Sequence, residues 1–210
     1  AIGRISRSRW FVSIGTSGVM FVSNDTFRPN AARAVHAFCH AVPGTWHQMG
    51  VILSATDSIN WLSNLTGKDA SVLTGALGSE LKAPGPVTFL PYLSGERTPH
   101  NDAAIRGAFT GLGHESDSTA LAKAVVEGVA CAVRDSLEAL RKAGTELGRV
   151  TAVGGGSRSD YWLKVIATTL NMPVDIPAEG ELGAAFGAAG HGFLAADGAD
   201  PFLVREPPAP

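Results

Sequence analysis

The chain has 210 residues, enough for one well-buried domain, with 45% hydrophobic and 17% charged residues, which argues against disorder. A formal net charge of -2 gives no electrostatic reason to expect nucleic acid or an anionic membrane as partner. No apolar run is long and clean enough to cross a bilayer, so the expected location is the cytoplasm. Cys39 and Cys131 sit far apart in apolar stretches and read as reduced core residues.

Residues 1–9 show no clear period, and the expected irregular tail is bounded at residue 10. Trp10–Ile14 and Val19–Ser23 are β-rich runs joined by Gly15-Thr16-Ser17-Gly18, the pattern of a hairpin with a small-residue loop. Ala34–Val42 is a candidate third strand. Met49–Leu53 leads into Ser54, an expected N-cap for a helix carrying Ile59, Leu62 and Leu65 and stopped by Gly67. A polar Gly/Pro stretch follows, then a strand at Val87–Leu90 and an ordered loop over Pro91–Asp102.

The longest helix is expected over Ser118–Ala143. Leu121, Val125, Val129, Val133, Leu137 and Leu140 recur there at helical spacing, and Gly144 stands as the C-cap signal. A strand at Arg149–Val153, the loop Gly154-Gly155-Gly156 and a helix over Ser159–Leu170 come next. Pro173–Ile176 reads as a strand and Gly183–Ala196 as a helix; residues 198–210 form a Pro-rich tail. Hairpins first and strand–helix alternation later indicate a mixed α/β domain over residues 11–197.

Two glycine-rich turns carry the candidate chemistry. Gly154-Gly155-Gly156-Ser157 sits at a strand-to-helix junction, where a ligand can approach the backbone and free N–H groups favour anions. The N–H groups and hydroxyls of Gly15-Thr16-Ser17-Gly18 suit a phosphate nest, although an ordinary hairpin explains that motif alone. No Gly is followed by Lys-Ser/Thr, so the Walker pattern is absent. Gly154, Gly156 and Ser159 come close to a dinucleotide fingerprint, with Asp175 on the next strand, which keeps an NAD-dependent oxidoreductase as an alternative. A non-catalytic assembly module is the third reading. His36, His40 and His47 lack an obvious further metal ligand, Glu127 reads as a structural hydrogen-bonding group, and Trp46 and Trp61 as core or interface fillers.

Taken together, Val12–Val19, Phe89–Asp102, Arg106–Leu112, Ala124–Gly128, Val153–Ser159 and Glu181–Ala189 resemble the C-terminal domain of the FGGY carbohydrate kinases, in particular the xylulokinase branch. The most specific string is Gly95-Glu96-Arg97-Thr98-Pro99-His100-Asn101-Asp102. The resemblance implies an actin-like, ribonuclease-H-type α/β domain with a mixed sheet flanked by helices. It also implies transfer of the ATP γ-phosphate to a ketose, D-xylulose, with Mg²⁺ as the accompanying ion. By the same resemblance Gly15, Thr16 and Ser17 face the phosphates of ATP or ADP, and Gly154, Gly155, Gly156 and Ser159 line the adenosine pocket. The family's catalytic aspartate and most of its sugar-binding domain lie upstream of the Gly-Thr-Ser-Gly loop. No catalytic residue and no metal ligand are therefore assigned in this chain, activity of the chain alone is not expected, and a homodimer is compatible with it. Arg4–Arg9 replaces a glycine-rich approach, Ala120 replaces an acidic or amide residue, and Gly190-His191-Gly192 interrupts the family's tail.

Overall fold

The computed structural model describes residues 10–177 and, beyond them, only 188, 189, 192 and 196. The expected tails and nearly all of the expected helix Gly183–Ala196 therefore lie outside the described residues. Twelve regular elements run in the order β1 (Trp10–Ile14), β2 (Gly18–Asn24), β3 (His36–Cys39), β4 (Trp46–Ile52), α1 (Thr56–Thr66), α2 (Ala70–Gly75), β5 (Thr88–Leu90), β6 (Ala108–Thr110), α3 (Ser118–Lys142), β7 (Val150–Val153), α4 (Asp160–Leu170) and β8 (Val174–Asp175).

Six strands form one mixed sheet in the order β3-β4-β2-β1-β7-β8, while β5 and β6 pair separately. The hairpin register sets Ile14 opposite Gly18, and β4 lies antiparallel beside β2 with Ile52 opposite Gly18. β7 joins β1 in parallel, placing Ala152 beside Val12. Alternation decides which face is buried: Trp10, Val12, Ile14, Met20, Val22 and Ile52 point to the helices, while Phe11, Phe21 and His47 line the half-buried opposite face. On that opposite face rings stack across strands, with Phe21 against Phe11 at 4.8 Å and against His47 at 4.9 Å between centroids. Burial holds the His36 and His47 imidazoles below their ordinary value. β7, with all four residues buried, lies between β1 and β8 and runs parallel to both, as expected of a strand covered on both faces.

The 25-residue α3 is the spine of the domain. Its stripe of Val125, Val129, Val133, Leu137 and Leu140 is fully buried against sheet and helices. Asp117 caps its start, accepting the Ala120 N–H at 2.8 Å. Its end is a Schellman turn: Gly144, at φ +80°, donates to Arg141, and Thr145 donates to Leu140. Two small residues set how closely α3 approaches its neighbours. A Cβ on Gly128 would stand 2.2 Å from the Phe89 carbonyl oxygen, and one on Gly50 would stand 2.6 Å from the Ser136 Cβ. Trp61 stacks on Phe89 at 5.9 Å beneath the small β5–β6 sheet, a core-filling role.

Several sequence expectations require correction. Ser54 does not cap α1: the helix starts at Thr56, the Ser54 hydroxyl is buried with no partner among the described residues, and backbone carbonyls of Gly15 and Thr16 do the capping. The third strand shrinks to His36–Cys39, because a 3-10 turn over Ala31–Arg33 and a left-handed Ala34 take up its start. Trp10, assigned to the tail by the domain boundary, opens β1 and is buried. Cys39 and Cys131 are free thiols, as expected, but both are exposed, one on the edge strand β3 and one within α3. α2 and β6 were not anticipated as regular elements.

The Pro91–Asp102 loop is ordered by its own polar groups. Thr98 bridges the β3–β4 edge, donating to the Ala34 carbonyl and accepting from the Val51 N–H, both at 3.0 Å. Glu96, only 3% exposed, accepts the N–H groups of Leu53 and Arg97 through Oε1, whereas Oε2 has no partner among the described residues. Burial raises its carboxyl above the ordinary 4.5. A raised folded-state value means that its contribution to stability is fully present below the ordinary value and is lost as pH rises through the raised one. Chemical denaturation at pH 5 and pH 7 should therefore show the wild type gaining on Glu96→Gln as pH falls; a pH-independent difference would contradict this.

Candidate nucleotide site

The two glycine loops meet at one residue, Ile14. Gly154 adopts φ +90°, and a Cβ there would lie 2.9 Å from the Ile14 carbonyl oxygen. A Cβ on Gly156 would lie 2.4 Å from the Ile14 Cγ2. Both positions thus need glycine to let the β7–α4 loop rest on the end of β1. Gly155 is different: it is exposed, and a Cβ there would meet nothing within 4 Å. The triple glycine therefore divides into two residues required by packing and one that opens onto free space.

That space is a cavity of about 570 Å³ walled by α1, α2, the turn after α2 and the Gly155–Trp162 segment. Gly155, Gly156 and Ser159 line it, whereas Gly154, which the resemblance assigns with them, does not. Ser159 has a second duty, since its Oγ accepts the Trp162 N–H at 3.3 Å and caps α4. The Ser157 hydroxyl donates to the Gly154 carbonyl at 2.7 Å and holds the 3-10 turn over Gly155–Arg158. Sequence reasoning missed Thr56, Ser71, Thr74, Ser79 and Trp162 as cavity residues. α2 spans only six residues, too few to show a period. Trp162 is 1% exposed, and its indole N–H is buried with no partner among the described residues.

Gly15, Thr16 and Ser17 form the tip of the β1–β2 hairpin, with Thr16 and Ser17 exposed. The Gly15 carbonyl accepts from Thr56, and the Thr16 carbonyl accepts from Ala55 and Asp57. The first N–H groups of α1 are thereby satisfied by the loop's carbonyls, which turns the opposite side of the loop outward. Gly15 donates to Ser17 at 3.2 Å, while the N–H groups of Thr16 and Ser17 carry no bond among the described residues. Two free backbone donors and two hydroxyls sit above the positive end of α1, an arrangement that favours an anion.

The other candidates resolve differently. The His40 and His47 rings lie 6.0 Å apart on the aromatic face, away from both loops. Among the described residues no group of three His, Cys, Asp or Glu side chains is arranged to hold a metal. Glu127 accepts the Gly85 N–H at 3.4 Å, the structural role expected of it. Asp175 pairs with Arg149 at 3.1 Å.

Residues 10–196 match the FGGY family of carbohydrate kinases, C-terminal domain. The chain belongs to this family. Xylulose kinase of Escherichia coli K12 is 40% identical over 197 residues, 93% of this chain and 41% of the relative. The crystal structure of a xyloylose kinase from Brucella ovis matches with a TM-score of 0.94 at 60% identity, covering 99% of this chain and 43% of that one. Xylulose kinase from Rhodospirillum rubrum matches with a TM-score of 0.79 at 30% identity, over 94% of this chain and 40% of that chain. The chain thus spans about 41% of the length of the curated relative from E. coli. The fold is the actin-like ATPase fold of these kinases, and the match gives no support to the dinucleotide alternative.

Substituting the glycines separates packing from ligand contact. Gly154→Ala should lower the thermal midpoint by several degrees, because a main-chain clash and a positive φ coincide there. Gly155→Ala should leave the midpoint within about a degree, since its φ is ordinary and its side is open. Equal losses at both positions, read by scanning calorimetry, would refute the division.

Proposed function

We propose that this chain is the ATP-binding part of a sugar kinase that transfers the γ-phosphate to a ketose, D-xylulose, in the cytoplasm. The observation that carries the reading is the convergence of both glycine loops on Ile14 beside a 570 Å³ cavity. The relatives' shared designation as xylulose kinases supports the choice of sugar.

The residues present fit a nucleotide. Gly155 and Gly156 leave the cavity floor open for the flat face of a base. Thr16 and Ser17 take the phosphate end through their free backbone N–H groups and hydroxyls, Gly15 shapes the turn that carries them, and Ser159 closes the base end. The loop offers hydroxyls and no carboxylate, so Mg²⁺ would be held mainly through the phosphate oxygens. When bound, Mg-ATP supplies the phosphoryl group and neutralises much of its charge. The chain's contribution is positioning. Ile14, pinned on both sides by glycines, fixes the distance between base end and phosphate end, so that a bound nucleotide has one orientation. The carboxylate that accepts the sugar's proton is not assigned to any residue of this chain.

Titration calorimetry with Mg-ADP and NAD tests the reading. Mg-ADP should bind, weakly if this chain forms only one wall of the full site, and Gly155→Val should reduce its affinity by at least about tenfold while far-UV circular dichroism is unchanged. Heat from NAD but not from ADP would overturn it.

A further inference from the structure

A second cavity, of about 650 Å³, opens between the middle of α3, the last turns of α4 and the segment 81–92. It shares no residue with Gly15–Gly18 or Gly154–Ser159, and the nucleotide chemistry leaves it unused. Its volume falls in the range of small-molecule sites. Val87, Phe89, Ala124, Ala132 and Val165 make most of its wall apolar.

Two carboxylates line it, Glu127 and Asp135, eight residues apart along α3 and therefore about 12 Å apart in rise. They are not equivalent. Glu127 is engaged, accepting the Gly85 N–H at 3.4 Å and lying 3.8 Å from Lys123, which also donates to the Ala83 carbonyl. That end is closed by the chain's own groups. Asp135 is half-buried and receives no hydrogen bond among the described residues. The charged and titratable groups around it are committed elsewhere. Arg134 bonds Glu138 at 2.8 Å and the Thr169 carbonyl at 2.7 Å, and His100 pairs with the Tyr92 hydroxyl at 3.1 Å. The Thr168 hydroxyl is spent on the Lys164 carbonyl at 2.8 Å. Lys82 also lines the cavity, in the segment that closes the Glu127 end; at the Asp135 end, apolar walls and one unanswered carboxylate suit a cation carried on an apolar body.

We propose that this cavity is a second ligand site, selective for a primary amine on an apolar body about the size of a bicyclic aromatic, with Asp135 as its counter-ion. The apolar wall removes the body from water, and the carboxylate gains the charge-assisted hydrogen bonds it lacks in the empty domain. The site stands apart from the nucleotide reading, and its test uses no nucleotide.

Tryptamine is the probe, titrated into the ¹⁵N-labelled chain and followed by amide shifts. 3-Methylindole and indole-3-propionic acid carry the same ring system with no charge and with the opposite charge. Tryptamine should shift the amides of Gly128, Cys131 and Ala132 while leaving Thr16 and Gly155 in place. Asp135→Asn should weaken it by about tenfold or more, and Asp135→Glu should retain most of the affinity. Silence at those amides, an equal response to the acid, or unchanged affinity in Asp135→Asn with its spectrum otherwise native would each overturn the proposal.

Discussion

The architecture turns on a close contact between main chains at Ile14. β1 ends there, the hairpin tip leaves there, and the loop after β7 lies on its carbonyl and side chain. No residue with a Cβ fits at Gly154 or Gly156 without moving that contact, so the parallel β1–β7 pair and the start of α4 depend on two hydrogen atoms where side chains would be. The same contact makes a site. The loop carbonyls that turn inward to cap α1 oblige its N–H groups to face outward, and the cavity beside Gly155 lies between that capped helix and α4. The outward-facing loop donors and the cavity beside Gly155 are thus products of one packing solution rather than two separately built features.

Around this contact the helices are positioned by small residues. Gly128 under the Phe89 carbonyl and Gly50 under Ser136 draw α3 against β5 and β4. α3 in turn supports α4 through a shared apolar core that includes Leu137, Ile166 and Leu170. Stability and site geometry are therefore coupled along α3, even though no residue of that helix is among the described residues lining the cavity beside Gly155.

Much of this was legible in the sequence. The long helical stripe, the Gly15–Gly18 hairpin and the strand–glycine–helix junction at Gly154 each carry a signal strong enough to survive without tertiary context. What was not legible has local physical causes. α2 and β6 have six and three residues, shorter than one clear period of either pattern. The Ser54 cap failed because its candidate N–H partners found backbone acceptors in a loop distant in sequence, which composition alone does not reveal. The cysteines looked internal because neighbouring residues are apolar, yet an edge strand and a helix each present one position to solvent. The roles of the three glycines were indistinguishable as letters; only the position of Ile14 separates Gly155 from Gly154 and Gly156.

Amide hydrogen exchange with and without Mg-ADP tests most directly whether the two loops act as one site. Exchange at Thr16, Ser17 and Gly155 should slow together when the nucleotide is added, since their N–H groups flank a single bound molecule. Protection of the Gly155 segment with Thr16 and Ser17 unchanged, or the reverse, would show that convergence at Ile14 serves packing alone.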